Sequence, residues 1–290
     1  MEVSMKNTFV IGLVTSSIFS VAAHAASTSS NAVADSVIAN QRAMLESNTA
    51  GKGYGPQSPR DIDSLEGKND IIFGLSPAST QMNLCNIHFH KNAEHKGGEF
   101  THFAGNGDGH GYQTGFEYTG KFNKSELMPY EHTVGESEHG GLYPGDTIEV
   151  HYVYSTAKVT PGPTLGSCLT KENGNPQLRV ETQVYVLVND KKAQNFLYLT
   201  AVDTVNDRPQ APNIPSNTGK AVEYIGSTTG PGYNEKASPY QVTWNVRPQV
   251  VKVNIATVDE WLKDNVFEED HAHGVRNLVT NLSLLSSIKQ

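Results

Sequence analysis

Short stretches of alternating apolar and polar residues predict that this chain is built mainly of β-strands. Side chains at positions i and i+2 of a strand share a face, and runs rich in Val, Ile and Tyr between Gly, Pro and Asn are typical of strands. The run at 178–188 is almost continuously apolar, which favours a central strand. The predicted strands are 71–73, 83–90, 115–119, 147–154, 178–188, 195–202 and 240–254.

Helical patterns are few and lie towards the two ends of the chain. Apolar residues at near-helical spacing in 31–46 predict a helix that leads into the domain or forms a peripheral arm. Thr257 followed by Glu260 has the spacing of a capping box and predicts a short helix there. Because neither repeats nor a composition break divide the rest, we expect a single domain, mainly β with a few short helices.

The N-terminus has the features of a secretory signal peptide. Lys6 precedes the apolar run "FVIGLVTSSIFSVAA", and "AHA" follows as a small-residue cleavage site, so cleavage is expected after Ala25. The apolar run is too short and too rich in serine for a comfortable membrane span. We therefore expect residues 1–25 to be a signal peptide, 26–52 a helical arm and 53–290 the main domain of a periplasmic or secreted protein without a membrane anchor.

Charge and cysteine content narrow the class of protein further. A formal net charge of −8 over 290 residues gives no support for binding nucleic acid or an anionic membrane. Nothing in the sequence indicates an oligomeric state. Cys85 and Cys168 are the only cysteines, and export to an oxidising compartment favours a disulfide between them over two buried free thiols.

Three histidines in predicted strands indicate a metal site. His88 and His90 share one face of "CNIHFH", and His151 lies in the strand pattern "DTIEVHYVYS". Three neutral imidazoles with a fourth position left for water suit catalytic Zn²⁺. Asn86 and Glu149 each lie two residues before a ligand on the same face, so each could accept a hydrogen bond from a ligand imidazole.

Two other kinds of protein fit part of this pattern. "HFHKNAE" matches the HxHxxxE motif of cupins, in which His88, His90, Glu94 and His151 would hold Mn, Fe or Ni inside a jelly roll. That interpretation requires Glu94 on the metal, and the zinc interpretation requires it off the metal. A non-catalytic periplasmic zinc-binding protein, with the His-rich segment 88–110 as a metal-scavenging loop, is the third possibility.

Five motifs follow one another along roughly residues 53–280. They are "GPQSPRDID" (55–63), "HFH" with the later "EVH", "EHTV" (131–134), "GSTTGPGYNEKASPYQVTW" (226–244) and "HGVRNL" (273–278). In this order they resemble the motifs of the α-class carbonic anhydrases. Differences in loop length and in the residues around Thr229 indicate the δ-class or a related bacterial α-like branch.

This resemblance implies a fold and an activity. The fold would be a central twisted, mostly antiparallel sheet, and the activity would be zinc-dependent reversible hydration of CO₂ to bicarbonate and a proton. Thr229 would orient the attacking hydroxide with the help of Glu131, a buried glutamate in the family, and Val153 and Trp244 would line the CO₂ pocket. No histidine stands at the family's proton-shuttle position, and the candidates for that role are His95, His102, His110 and His139.

Overall fold

A computed structural model describes residues 32–228 and 231–289 of the chain, and the predicted signal peptide lies outside these residues. Twelve strands and three α-helices occur in the described part. The strands are β1 Asn83–Lys91, β2 Phe100–Asn106, β3 Thr114–Tyr118, β4 Val134–Ser137, β5 Gly140–Leu142, β6 Thr147–Ser155, β7 Leu178–Val188, β8 Asp203–Val205, β9 Arg208–Gln210, β10 Val222–Ser227, β11 Gln241–Val246 and β12 Val251–Asn254. The helices are α1 Asp35–Thr49, α2 Phe196–Leu199 and α3 Ile255–Lys263.

A mixed six-stranded sheet forms the centre of the domain. Its order is β1-β6-β7-β11-β10. Strand β12 pairs with the same edge of β7 as β11 does, but further along β7. The pairs β1–β6, β6–β7 and β10–β11 are antiparallel, whereas β11 and β12 both run parallel to β7. Because β7 is paired along both edges and packed on both faces, its apolar run is buried almost throughout. The expectation of a mainly β domain on a central sheet is confirmed.

Apolar residues cover both faces of this sheet. One cluster contains Phe89 and Tyr152 on one face, and a second contains Val153, Val180 and Trp244 on the other. Cross-strand partners share a face, and Val153 is paired with Val180, which is in turn paired with Trp244. The second face is the one that carries the histidines described below.

The predicted disulfide is confirmed. Cys85 and Cys168 are bonded, and both residues are completely buried in the cluster with Trp244. The bond joins β1 to the turn at 165–168, directly beside the register shift that β1 makes between Leu84 and Asn86. The strand that carries two of the three histidines is therefore covalently tied to a loop 83 residues further along the chain.

The structure corrects several sequence predictions about local elements. The segment 195–202 contains the helix α2 rather than a strand, and 71–73 is not part of a strand. Short apolar runs are compatible with either structure, and packing decides between them. Helix α3 begins two residues before Thr257, with the side chain of Asn254 accepting from the N–H of Ala256 at 3.2 Å, so the capping-box prediction is wrong.

Helix α1 packs against the C-terminal segment of the domain. Leu45 joins Val279, Leu284 and Leu285 in a small apolar cluster, and Gln41 donates to the carbonyl of Gly109 at 2.8 Å. Within residues 32–228 and 231–289, the structure contains no helix of the length and apolar character that crossing a membrane would require.

Candidate metal centre

The strand pairing brings the three predicted histidines together on one face of the sheet. His88 on β1 is the direct cross-strand partner of His151 on β6, and His90 lies two residues further on the same face. One ring nitrogen from each histidine lies within 4.8 Å of the other two. His90 and His151 are buried, and His88 is partly exposed, so the cluster lies in the interior with one side reached by solvent.

Each imidazole is oriented by an oxygen atom that contacts its other nitrogen. Nδ1 of His88 lies 2.6 Å from Oδ1 of Asn86, and Nε2 of His151 lies 2.6 Å from Oε1 of Glu149. Nδ1 of His90 donates to the carbonyl of Gly274 at 2.8 Å. These bonds leave Nε2 of His88, Nε2 of His90 and Nδ1 of His151 facing one another. Sequence reasoning included Asn86 and Glu149 but missed Gly274, because a backbone acceptor leaves no residue-type signal.

The electrostatics of the cluster keep two of its imidazoles neutral. Burial, together with the neighbouring histidines, holds the pKa of His88 well below its usual value. Burial also lowers the pKa of His90 to about 4, against the opposing effect of Glu94. Metal ligands must be deprotonated, so neutral imidazoles are ready to bind. Three imidazole donors, each anchored through its second nitrogen, fit Zn²⁺.

Glu149 connects His151 to a second buried histidine. Its carboxylate is fully buried and accepts from the side chain of His95 at 2.7 Å and from the backbone N–H of the same residue at 3.1 Å. Nε2 of His95 in turn accepts from the hydroxyl of Tyr224 at 2.7 Å. Burial alone would raise the pKa of Glu149, but His95 and His151 hold it far below its usual range. Because His95 is completely buried, its candidacy as a proton shuttle is wrong.

The position of the buried glutamate requires a correction. Glu131 is exposed, in the loop before β4, so the expectation of a buried residue there is wrong. The buried glutamate beside the histidines is Glu94, whose Oε1 accepts from the backbone N–H of Arg276 at 2.7 Å. The Glu-His dipeptide occurs three times in this sequence, and only the copy at 94–95 follows β1 closely enough to turn back onto the sheet.

Glu94 lies near the cluster but outside it. Its Oε2 is 3.9 Å from Nε2 of His90 and 3.9 Å from Nε2 of His151, and it does not belong to the group of converging ligand atoms. A cupin site would require Glu94 among those atoms, and a jelly roll would replace the mixed sheet. The structure therefore disfavours the cupin alternative.

Val153 and Trp244, the residues predicted to line an apolar pocket, are both buried beside His151. Val153 is buried two residues beyond His151 on the same face, and the Trp244 ring is centred 4.9 Å from the His151 ring. The indole N–H of Trp244 donates to the carbonyl of Ser227 at 3.1 Å, which turns its apolar ring towards the histidines. Thr229 lies outside the described residues. Its neighbour Thr228 is buried, with its backbone N–H donating to Tyr240 at 3.1 Å.

A fourth histidine, missed in the sequence, stands at the solvent side of the cluster. The ring of His273 is centred 5.5 Å from that of His88 and 5.9 Å from that of His90. Its backbone N–H donates to Phe89, and its Nε2 lies 2.6 Å from a carboxylate oxygen of Glu269. Only the return of the C-terminal segment across the end of β1 brings this residue to the site.

Comparison with known proteins agrees with the motifs. The sequence model of the family described as "Delta carbonic anhydrase" matches residues 79–257, more than half of the chain. No protein of curated function matches.

Solved structures also match, at low similarity. A halotolerant carbonic anhydrase from Dunaliella salina is 21% identical, with 81% of this chain and 87% of that chain covered and a TM-score of 0.33. The α-carbonic anhydrase from Thermovibrio ammonificans, in complex with sulfanilamide, is 18% identical, with 77% and 84% covered and a TM-score of 0.27. The α-carbonic anhydrase from Photobacterium profundum is 17% identical, with 79% and 88% covered and a TM-score of 0.28. Scores this low add no argument to the family match.

Proposed function

This chain belongs to the delta carbonic anhydrase family, and we propose that it catalyses the zinc-dependent reversible hydration of CO₂, with His88, His90 and His151 holding the metal. The observation that carries the proposal is that a neighbouring oxygen atom fixes the tautomer of each of the three histidines. Every imidazole has one nitrogen committed to an oxygen acceptor, and the remaining three nitrogens face one another.

Zinc held by three neutral imidazoles would act as a Lewis acid that makes hydroxide available near neutral pH. The role of the protein is to keep the donor nitrogens unprotonated and aimed. Asn86 and the Gly274 carbonyl do this for the two β1 histidines, and Glu149 does it for His151. The carboxylate of Glu149 is itself held by His95, so the orientation of His151 depends on a connected hydrogen-bonded chain.

The apolar side of the site suits a small, uncharged substrate. Val153 and the Trp244 ring are buried beside His151. These apolar groups can pack against CO₂, but they offer a water molecule no hydrogen bond. The substrate pair of this reaction, CO₂ and bicarbonate, is small enough that no large cleft is needed.

We assign the positioning of the attacking group to Thr229 by its place in the "GSTTGP" motif. We assign the role of its partner to Glu94 rather than to the exposed Glu131. Support for Glu94 comes from its burial and from Oε1, which accepts from the backbone N–H of Arg276 at 2.7 Å, while Oε2 lies 3.9 Å from the nearest ring nitrogens of His90 and His151.

Export to the periplasm or to the exterior is part of the proposal. The signal-like N-terminus motivates it, and the Cys85–Cys168 disulfide supports it, because such bonds persist mainly in oxidising compartments.

Metal content and CO₂ hydration, measured on the same preparation of exported protein, test the function. We expect one zinc per chain, loss of both zinc and activity in His90→Ala, and little change in His132→Ala, a matched control whose half-exposed side chain pairs with Asp259. A preparation with full zinc and no hydration activity would favour the non-catalytic zinc-binding alternative. Full zinc in His90→Ala would show that the ligand assignment is wrong.

A further inference from the structure

A cavity of about 390 Å³ lies on the face of the central sheet opposite the histidines. Ile225 and Thr243, which line it, are cross-strand partners on β10 and β11. They alternate with Tyr224 and Trp244, whose rings pack against His95 on the metal face, so their side chains point the other way. Leu178 and Val242, at the start of β7 and β11, also line it and belong to the cluster on the histidine face, so the cavity lies at this end of the sheet and mainly on the face away from the metal centre.

Two aromatic rings stand at the entrance of this far-face cavity. Tyr54 and Phe73 are partly exposed, at 36% and 42%, although both line the cavity. A Cβ atom on Gly55 would collide with the Phe73 ring and with the Gln241 amide, so the glycine lets these groups pack closely on one wall. The arrangement leaves aromatic surface available to a ligand at the edge of a preformed concavity.

The polar groups of the cavity are amides and hydroxyls. Asn175 and Gln177 offer both donors and acceptors, whereas the NH₂ group of Gln241 donates to the carbonyls of Gly226 at 2.8 Å and Pro56 at 3.2 Å. Ser76 is buried at the base, where its backbone N–H donates to Oγ of Thr243 at 2.8 Å. Its own hydroxyl oxygen has no hydrogen-bond partner among residues 32–228 and 231–289. A buried hydroxyl without a partner is costly, so a ligand or water that satisfied it would be stabilised.

None of the described residues that line the cavity carries a charge. A charged ligand would have to leave water without an opposite charge to meet it, which is strongly unfavourable. A purely apolar ligand would in turn cover the amides of Asn175 and Gln177 without offering them hydrogen bonds. The cavity therefore selects for a neutral ligand that is rich in hydroxyl or amide groups and has apolar faces that can lie against aromatic rings.

From this combination, we propose that the far-face cavity binds a short neutral oligosaccharide. Sugar hydroxyls match the amides of Asn175 and Gln177, and the C–H faces of the sugar rings match Tyr54 and Phe73. The volume lies within the range of about 300–1,000 Å³ that small-ligand sites occupy. Such a site would attach an exported enzyme to glycan without involving its catalytic face.

Isothermal titration calorimetry of the mature protein tests this, with maltotriose, cellotriose and chitotriose as probes at up to about 10 mM, a range that covers weak small-ligand binding. At least one neutral probe should bind. Tyr54→Ala and Phe73→Ala should each weaken that binding by about tenfold or more, because each removes an aromatic contact. Tyr198→Ala is the matched control, since Tyr198 is more exposed and does not line the cavity.

Three results would overturn the proposal: no binding of any neutral trisaccharide, unchanged binding in both Tyr54→Ala and Phe73→Ala, or equal binding of the anionic trigalacturonate. The CO₂ hydration rate should be the same in all of these variants, because the aromatic residues are on the other face of the sheet. This readout keeps a failure of the saccharide site separate from a failure of the proposed catalysis.

Discussion

Replacement of Glu149 by Gln tests whether the buried carboxylate controls the tautomer of His151. One carboxylate oxygen lies 2.6 Å from Nε2 of His151 and 2.7 Å from Nδ1 of His95, and the other accepts from the backbone N–H of His95 at 3.1 Å. Three donors thus point at two acceptor oxygens. Glutamine keeps the shape of the side chain but replaces one acceptor by a donor.

Neither orientation of the new amide reproduces these bonds. If its oxygen faces the two imidazoles, its NH₂ group meets the backbone N–H of His95, and a buried donor is left without an acceptor. If the NH₂ group faces His151, Nε2 must become the acceptor, and the proton moves to Nδ1, the nitrogen that faces the other two histidines. The first orientation costs folding stability, and the second removes a ligand.

The magnitudes follow from these two cases. An unpaired buried donor should lower the free energy of unfolding by about 1–3 kcal/mol. Loss of a partner that orients a metal ligand typically costs about 10–100-fold in metal affinity or activity, equivalent to about 1.4–2.7 kcal/mol. We therefore expect Glu149→Gln to fold, to bind zinc about 10–100-fold more weakly, and to lose hydration activity in parallel.

Zinc affinity would be measured by competition with a chelator, hydration by stopped flow, and stability by urea denaturation of the metal-free protein. Glu223→Gln is the matched control, because Glu223 pairs with Arg179 at 2.6 Å on the far face of the sheet. A Glu149→Gln variant with wild-type zinc affinity and rate would refute the tautomer argument. So would equal losses in Glu223→Gln.

Three further predictions concern residues around the centre. Glu94→Gln should keep zinc but slow hydration by about 10²–10³-fold, while Glu131→Gln should be unchanged, and the reverse result in the hydration assay would restore the motif match at Glu131. Thr229→Val should slow hydration with zinc retained, and Thr228→Val should not; the opposite ranking would shift the register by one residue. Replacing Cys85 by Ala should lower the free energy of unfolding by about 4 kcal/mol in urea, and free thiols in the unreduced wild type would contradict the bond.

The sequence alone determined the parts of this protein that depend on local geometry. Alternation in a strand places His88 and His90 on one face whatever the rest of the chain does, and it places Asn86 beside them. The same rule applies to Glu149 and His151 on β6. The disulfide could be predicted as well, because two cysteines allow only one intramolecular pairing.

Tertiary structure decided which distant groups meet at that face. The Gly274 carbonyl reaches His90 across 184 positions of sequence, and the Tyr224 hydroxyl reaches His95 across 129. Neither contact has a local signature, since it depends on how the C-terminal segment and β10 are placed against the sheet. The same cause explains why the buried glutamate is Glu94 and not the predicted Glu131. Both residues belong to Glu-His dipeptides, and only the path of the surrounding loop distinguishes them.

The far-face cavity and the helix α2 show the same division. Periodicity indicates which side of a strand is apolar, but a concavity arises only where loops from three separate segments, around Tyr54, Phe73 and Gln177, stop short of one another. The apolar run at 195–202 could form a strand or a helix, and its packing against α3 selected the helix. Local sequence sets the direction of each side chain, whereas the free energy of packing distant segments sets what that side chain meets.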